Sequence, residues 1–201
     1  MFVESPRLGG CLSFKEKNSF PLPTQIPCQY FSMVRIGLLS DTHSYMDDRI
    51  LHHLEEVDEV WHAGDIGNVA VSDTLEGFKP LRAVYGNIDG DKLRRIHPVE
   101  QHFELEGLTV WMTHIAGRPG RYSKGILELI RRRKPDILVC GHSHILKVQR
   151  DHQFNLLYMN PGAAGIHGFH KVRTLLRFSL HQGKIEDMEV VELGTRSKVQ
   201  G

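Results

Sequence analysis

Ile137-Leu138-Val139-Cys140-Gly141-His142-Ser143-His144 is the stretch on which the reading of the chain turns. Its first four residues are apolar, and the run is short enough for a buried strand. A glycine ends the run, and two histidines follow, two residues apart. They fall at the carboxyl end of the strand or in the loop beyond it. In open α/β sheets that edge is where ligands bind. Two imidazoles can begin a metal site but cannot complete one, so further ligands must come from elsewhere in the chain.

The same arrangement recurs upstream. Val34 to Leu39 reads as a first, central strand, and Asp41 and His43 follow it. Glu59 to His62 reads as a second strand and runs into Gly64-Asp65. Leu81 to Tyr85 reads as a third, ending at Gly86-Asn87. Gln101 to Leu105 and Leu108 to Thr113 flank Glu106-Gly107 as a hairpin, and His114 follows its second strand. Helices are expected over residues 47–57, 69–78 and 123–134, the last capped by Ser123 and stopped by Pro135. A loop is expected at Gly117 to Gly120, and further strands near residues 147–149, 155–159, 173–180 and 185–193. The order is βαβαβ, a hairpin, βα and a β-rich end. That predicts an α/β (α+β) chain with two packed sheets and helices outside them.

Taken singly, each fragment has a plainer explanation. Asp-x-His is common by chance, Gly-Asp is a frequent turn, and Gly-Asn-x-Asp forms turns with no chemistry required. The weight lies in five apolar runs that each end in an oxygen or nitrogen donor. If the strands open on one edge, Asp41, His43, Asp65, Asn87, His114, His142 and His144 converge. Seven donors are too many for one zinc and suit two divalent ions. The absence of thiolate excludes a cysteine-zinc site and fits Mn²⁺, Fe, Zn²⁺ or, less well, Mg²⁺. Two ions about 3.5–4 Å apart need a bridging ligand. A carboxylate on a short Gly-Asp turn can bridge, which makes Asp65 the natural candidate.

Composition narrows the remaining classes. The 201 residues suit one domain, and a formal net charge of +1 offers no field for holding nucleic acid or an anionic membrane. The basic run Arg131-Arg132-Arg133-Lys134 closes a predicted helix, where cations complement the dipole. No apolar run is long enough to span a bilayer, and residues 1–32 lack the apolar core of a signal peptide. Those residues are expected to be a disordered N-terminal extension, or to precede a natural start at Met33, leaving residues 33–201 as the domain. Three scattered cysteines indicate a reducing compartment and a cytoplasmic location, with Cys140 as a small core residue. Edge strands could pair two copies into a homo-oligomer.

The series Asp41-x-His43, Gly64-Asp65, Gly86-Asn87, His114 and Gly141-His142-x-His144 resembles the calcineurin-like metallophosphoesterase superfamily. The short length and the late Asn160-Pro161-Gly162 loop are most similar to its small YfcE-type phosphodiesterases. The resemblance covers residues 33–193. It implies a four-layer αββα sandwich of two mixed β-sheets flanked by helices. It also implies that Asp41, His43 and His144 hold one ion, that Asn87, His114 and His142 hold the other, and that Asp65 bridges them. The cofactor so implied is two divalent metal ions, Mn²⁺ foremost, with Zn²⁺, Fe, Ni²⁺ or Mg²⁺ as alternatives. The implied reaction is hydrolysis of a small phosphodiester by in-line attack of a metal-bridging hydroxide, with Asp65, Asn87 and His142 around it.

One position departs from the superfamily pattern. Many members carry Gly-Asn-His-Asp/Glu, in which the histidine is thought to protonate the leaving group. Ile88 stands there in this chain, as in YfcE-like members, so the general acid is unassigned. Asp89 reads either as a turn former or as a hydrogen-bond partner for a ligand histidine. The glycine-rich segment 160–170 carries His167 and His170 and is expected near the site. His52, His53, His62, His97, His102, His152 and His181 have no matching partner and read as structural or solvated. Two rival readings stand. One is a non-catalytic scaffold like the retromer subunit of this fold, whose metal site is degraded. The other is a phosphomonoesterase or nucleotidase of the same superfamily. A doubly wound nucleotide-binding module would need a glycine-rich loop after the first strand, and there is none.

Overall fold

The computed structural model describes residues 33–169 and 171–196. The expectations for residues 1–32 and for His170 lie outside the described residues. In chain order the first half holds β1 (Val34–Leu39), α1 (Asp48–His53), β2 (Glu59–His62), α2 (Val69–Phe78), β3 (Leu81–Ala83), α3 (Asp91–Ile96), β4 (Glu100–Leu105) and β5 (Leu108–Thr113). The second half holds β6 (Gly117–Arg118), β7 (Arg121–Tyr122), α4 (Ile126–Arg133), β8 (Ile137–Val139), β9 (Leu146–Asp151), β10 (Leu156–Pro161), β11 (Val172–His181) and β12 (Lys184–Thr195).

Ten of these strands form two five-stranded mixed sheets, ordered β12-β11-β1-β2-β3 and β4-β5-β8-β10-β9. In the first, β1, β2 and β3 run parallel and β11 joins β1 antiparallel. In the second, β5, β8 and β10 run parallel, with β4 and β9 antiparallel at the edges. Within each sheet the strands that precede predicted ligands are therefore parallel to one another. Their carboxyl ends share an edge for a reason of topology.

Alternation along the strands produces the layers. Side chains of a strand point to opposite faces in turn, and strands covered on both faces read as continuous apolar runs. Ile36, Leu38, Trp61, Val110, Met112, Ile137, Val139, Leu176 and Phe178 fill the core between the sheets. Leu39, Val60 and Leu175 face the other way and pack with Ile50, Leu54, Val71, Leu75 and Leu93 from the α1–α3 side. Trp111, Leu138, Cys140 and Tyr158 face outward from the second sheet and pack with Ile130 of α4. The result is the four-layer αββα sandwich. Among the described residues no helix is long and apolar enough to cross a membrane.

Local differences from the sequence expectation have local causes. α1 ends at His53 because Leu54 closes it, while Leu54 and Val57 stay buried beyond the last helical turn. α3 was not expected, since its six residues bury only Leu93 and show no periodicity. α4 begins at Ile126 behind Gly125, so Ser123 does not cap it. The segment 117–120, expected as loop, is part of the small β6–β7 hairpin over residues 117–122. Third-strand pairing stops at Ala83, and the Val84 and Tyr85 amides donate to His62 and Pro98 carbonyls instead.

Trp61 is the anchor of the inter-sheet core. It is fully buried, meets the Phe103 and Phe178 rings edge-on at 5.2 and 5.6 Å, and donates its indole N–H to Glu59. Trp61→Ala is expected to cost about 3–5 kcal/mol in urea unfolding, because the hole between two flat sheets cannot close. A cost under about 1 kcal/mol would mean that this layer is not the core.

Candidate metal centre

The loops that leave the parallel strands stay in register past the strand ends. Amides of Asp41, His43 and Ser44 donate to carbonyls of Gly64, Asp65 and Ile66, and the Gly141 amide donates to His114. The ligand-bearing residues are thus laid side by side by backbone bonds before any side chain is considered. The structure brings all seven predicted donors to this edge.

They form two groups. Asp41, His43 and His144 place one donor atom each within 4.8 Å of one another, and so do Asp65, His114 and His142. In the first group His144 Nε2 is 3.1 Å from Asp41 Oδ1 and 3.3 Å from His43 Nε2. In the second, His114 Nε2 is 3.2 Å from Asp65 Oδ1 and 3.1 Å from Asn87 Oδ1, and the His142 ring lies edge-on to His114 at 5.3 Å. Asp65 faces both groups: its Oδ1 meets His114, and its Oδ2 lies 3.7 Å from His43 Nε2.

Surrounding hydrogen bonds aim these donors. His114 Nδ1 donates to the Ala63 carbonyl at 2.8 Å, which fixes the ring with Nε2 aimed at the Asp65 and Asn87 oxygens. Asp41 Oδ2 accepts from Ser40 Oγ at 2.6 Å and from the His142 amide at 3.1 Å. Its other oxygen, Oδ1, is buried and has no hydrogen-bond partner. An orphaned carboxylate oxygen beside converging imidazole lone pairs is costly unless a cation joins them. Oxygen and nitrogen donors without thiolate also suit a divalent ion of the manganese, iron or zinc type. The residues present therefore fit a pair of divalent ions.

Titration follows the same contacts. Burial alone would raise the Asp65 carboxyl, but the His114 hydrogen bond and the Ile88 amide hold it below the usual range. Burial lowers His43 more than its two carboxylate neighbours raise it. For His114, burial is outweighed by the Asp65 hydrogen bond and nearby carboxylates, and its value rises.

The backbone is in an uncommon conformation at the candidate ligands. Asp41, His43, Asp65, His142 and His144 all have left-handed φ, between 49° and 67°. Such conformations in non-glycine residues gather at functional sites, and Asp, Asn and His tolerate them best. The glycine before a ligand makes room for a ligand from another strand. A Cβ on Gly64 would lie 2.6 Å from His114 Nδ1, one on Gly86 2.0 Å from Asp65 Oδ1, and one on Gly141 2.8 Å from Asp41 Oδ2.

Four supporting residues were not legible in their roles. Asp89 makes no bond to a ligand histidine. It is buried, and its carboxylate accepts from the amides of Ile66, Gly67 and Gly86, tying the loop after β3 to the loop after β2. Asn160 donates to the Gly141 carbonyl at 2.7 Å and to Ser143 Oγ at 3.2 Å, bracing the loop that carries His142 and His144. His62 and Thr42 form a buried relay. The Gly64 amide donates to His62 Nδ1, so His62 Nε2 donates to Thr42 Oγ1, which donates to the Ile66 carbonyl. The glycine-rich segment does lie at the site. Gly168 abuts His144, and the His167 ring is 5.6 Å from that of His43.

A family model of the calcineurin-like phosphoesterase superfamily domain matches residues 34–183. A protein named probable metallophosphoesterase, from Methanothermobacter thermautotrophicus, is 28% identical over 137 residues, which span 64% of this chain and 76% of that one. The solved structure of a novel archaeal phosphodiesterase is similar with a TM-score of 0.61 at 23% identity, over 78% of this chain and 99% of its own. Vps29 of Chaetomium thermophilum reaches a TM-score of 0.63 at 15% identity, over 79% and 95%. At those identities the two structures speak to the fold alone.

The His62 relay predicts a pH signature. Burial pushes His62 from 6.5 down to about 4, and its Nδ1 cannot take a proton while the Gly64 amide points at it. Because the folded value lies below the unfolded one, this contribution to stability is full above 6.5 and is lost as pH falls toward 4. His62→Gln should cost about 1–3 kcal/mol in metal-free protein at neutral pH. Relative to wild type, that deficit should shrink by on the order of 2 kcal/mol near pH 5, measured by urea unfolding at both pH values. A deficit independent of pH would show that His62 titrates normally.

Proposed function

The chain belongs to the calcineurin-like phosphoesterase superfamily, and we propose that within it the protein is a YfcE-type, metal-dependent phosphodiesterase acting on a small phosphodiester. The observation that carries this reading is the Asp65 carboxylate, which offers one oxygen to His114 at 3.2 Å and the other to His43 at 3.7 Å. That geometry supports a bridging role for Asp65 between two three-residue groups. Asp41, His43 and His144 would hold one ion, and Asn87, His114 and His142 the other, with Mn²⁺ the first choice and Zn²⁺, Fe, Ni²⁺ or Mg²⁺ as alternatives. When bound, such a pair makes hydroxide available near neutral pH and offsets charge developing on the phosphoryl oxygens.

The chain's own residues do the rest. Only two of the seven donors are carboxylates, so the set does not neutralise two dications and the site keeps an attraction for a phosphodiester anion. Asp65 is held low enough to stay ionised, by His114 and by the Ile88 amide at 3.1 Å. Asn87 contributes a neutral oxygen and His142 an exposed imidazole on the open side of the second group. A scaffold role alone would not call for an orphaned carboxylate oxygen and five strained ligand residues kept together. Ile88, 46% exposed, supplies no proton to a leaving group from the position where many relatives carry histidine.

Two experiments test the reading. Asp65→Asn, in protein loaded with Mn²⁺, should lower kcat/KM for bis(p-nitrophenyl) phosphate by more than about a hundredfold and reduce the bound metal per chain. Near-wild-type turnover would remove the bridge. The missing acid sets a second expectation. Aryl diesters with good leaving groups should be hydrolysed at least about a hundredfold faster than alkyl diesters. Equal rates on the two would mean that another group donates the proton.

A further inference from the structure

A cleft of about 470 Å³ is built on the two loops that carry three of the candidate ligands. One wall starts at Gly117, three residues past His114, and continues into the β6–β7 hairpin with Arg118 and Arg121. The other includes Ser143, which sits between His142 and His144, then Ile145 and Lys147. Tyr158 completes the lining. Its hydroxyl donates to the Gly117 carbonyl at 2.8 Å, and Asn160 fixes Ser143 from below through Oγ, so both walls are pinned to the second sheet.

The charge of this cleft is one-sided. Among the described residues no carboxylate lines it, and Arg118, Arg121 and Lys147 form no ion pair there, whereas five other arginines are paired with carboxylates. In a chain whose formal net charge is +1, three uncompensated cations around one cleft are a local feature. Guanidinium groups suit phosphate because their planar donors can pair with two of its oxygens, and a lysine adds a point charge. The same cleft also has an apolar part. Ile145, directly after His144, is 51% exposed, and exposed isoleucines also follow Asn87 and His114. Carbon framework can lie on such surface between two charged ends.

We propose that this cleft binds a second phosphate group carried on one arm of the substrate, so that the preferred substrates are phosphodiesters bearing a further phosphate rather than singly charged diesters. The inference rests on the phosphodiesterase reading, which puts the scissile group at the metal centre. Ile145 then contacts the connecting arm, and Arg118, Arg121 and Lys147 take the distal phosphate.

The test is a binding comparison on the Mn²⁺-loaded full chain. Calorimetric titration with thymidine 5′-monophosphate and thymidine 3′,5′-bisphosphate isolates the second phosphate. The bisphosphate is expected to bind about tenfold more tightly, the order of one or more charge-assisted hydrogen bonds. R118Q/R121Q should abolish that preference with an unchanged thermal midpoint, since both side chains are exposed. Lys147→Gln on β9 should reduce it independently, and R131Q/R132Q on α4 should leave it intact. Equal affinities, no bisphosphate binding, or a preference that survives R118Q/R121Q would overturn the assignment. Hydrolysis of bis(p-nitrophenyl) phosphate by the same preparation reports separately on the activity. If no metal supports it while the bisphosphate preference remains, the activity falls and the cleft stands.

Discussion

One hydrogen bond, from His114 Nδ1 to the Ala63 carbonyl at 2.8 Å, ties the second sheet to the first at the edge where the donors gather. Each sheet could be built without it, but the site could not. It sets the orientation of the His114 ring, so that Nε2 faces Asp65 and Asn87. It also fixes the spacing of the two sheet edges at the point where a carboxylate from one sheet meets imidazoles from the other. Around it stand bonds of the same kind, from the His142 amide to Asp41 and from the Ala164 and Gly165 amides to the Ser40 and Asp41 carbonyls. All of them cross between segments far apart in sequence.

This construction has a cost, and the fold offsets it locally. Five candidate ligands in left-handed conformations and an orphaned Asp41 oxygen both disfavour the folded chain. Strained backbone positions cost up to about 1–3 kcal/mol each, less for Asp and His than for bulky residues. The compensating terms lie next to the strain. The inter-sheet core behind the edge is apolar throughout, and the carboxylate of Asp89 satisfies three amides of the loops that carry Asp65 and Asn87. A divalent ion would relieve the Asp41 term directly, so the metal-free state is the strained one.

The strands, their order and the seven donors were legible because each depends on local pattern. A short apolar run ended by glycine and a donor is visible in one dimension, and parallel strands bring such ends together. What was not legible depends on pairs distant in sequence. The His62 relay needs Thr42, twenty residues away, and Asn160 reaches back nineteen residues to Gly141. Asp89 reads as a turn residue, which its bonds to Gly86 bear out, but its further partners, Ile66 and Gly67, are invisible until β2 and β3 lie side by side. α3 and the β6–β7 hairpin are too short for periodicity to announce them.

Asp89 also explains how the chain tolerates isoleucine at position 88. The turn at Gly86-Asn87-Ile88-Asp89 is held by the Asp89 carboxylate, and its contribution to positioning Asp65 is the Ile88 backbone amide, which donates to Asp65 Oδ1 at 3.1 Å. Neither bond involves the side chain at position 88. The backbone there is committed to positioning Asp65 and Asn87, while the side chain is free to be an acid, a hydrophobe or a substrate contact. A change of side chain at this position can therefore alter the surface beside the candidate centre without moving Asp65 or Asn87. The exposed Ile88 belongs on that account with Ile115 and Ile145, as apolar surface laid beside a polar centre.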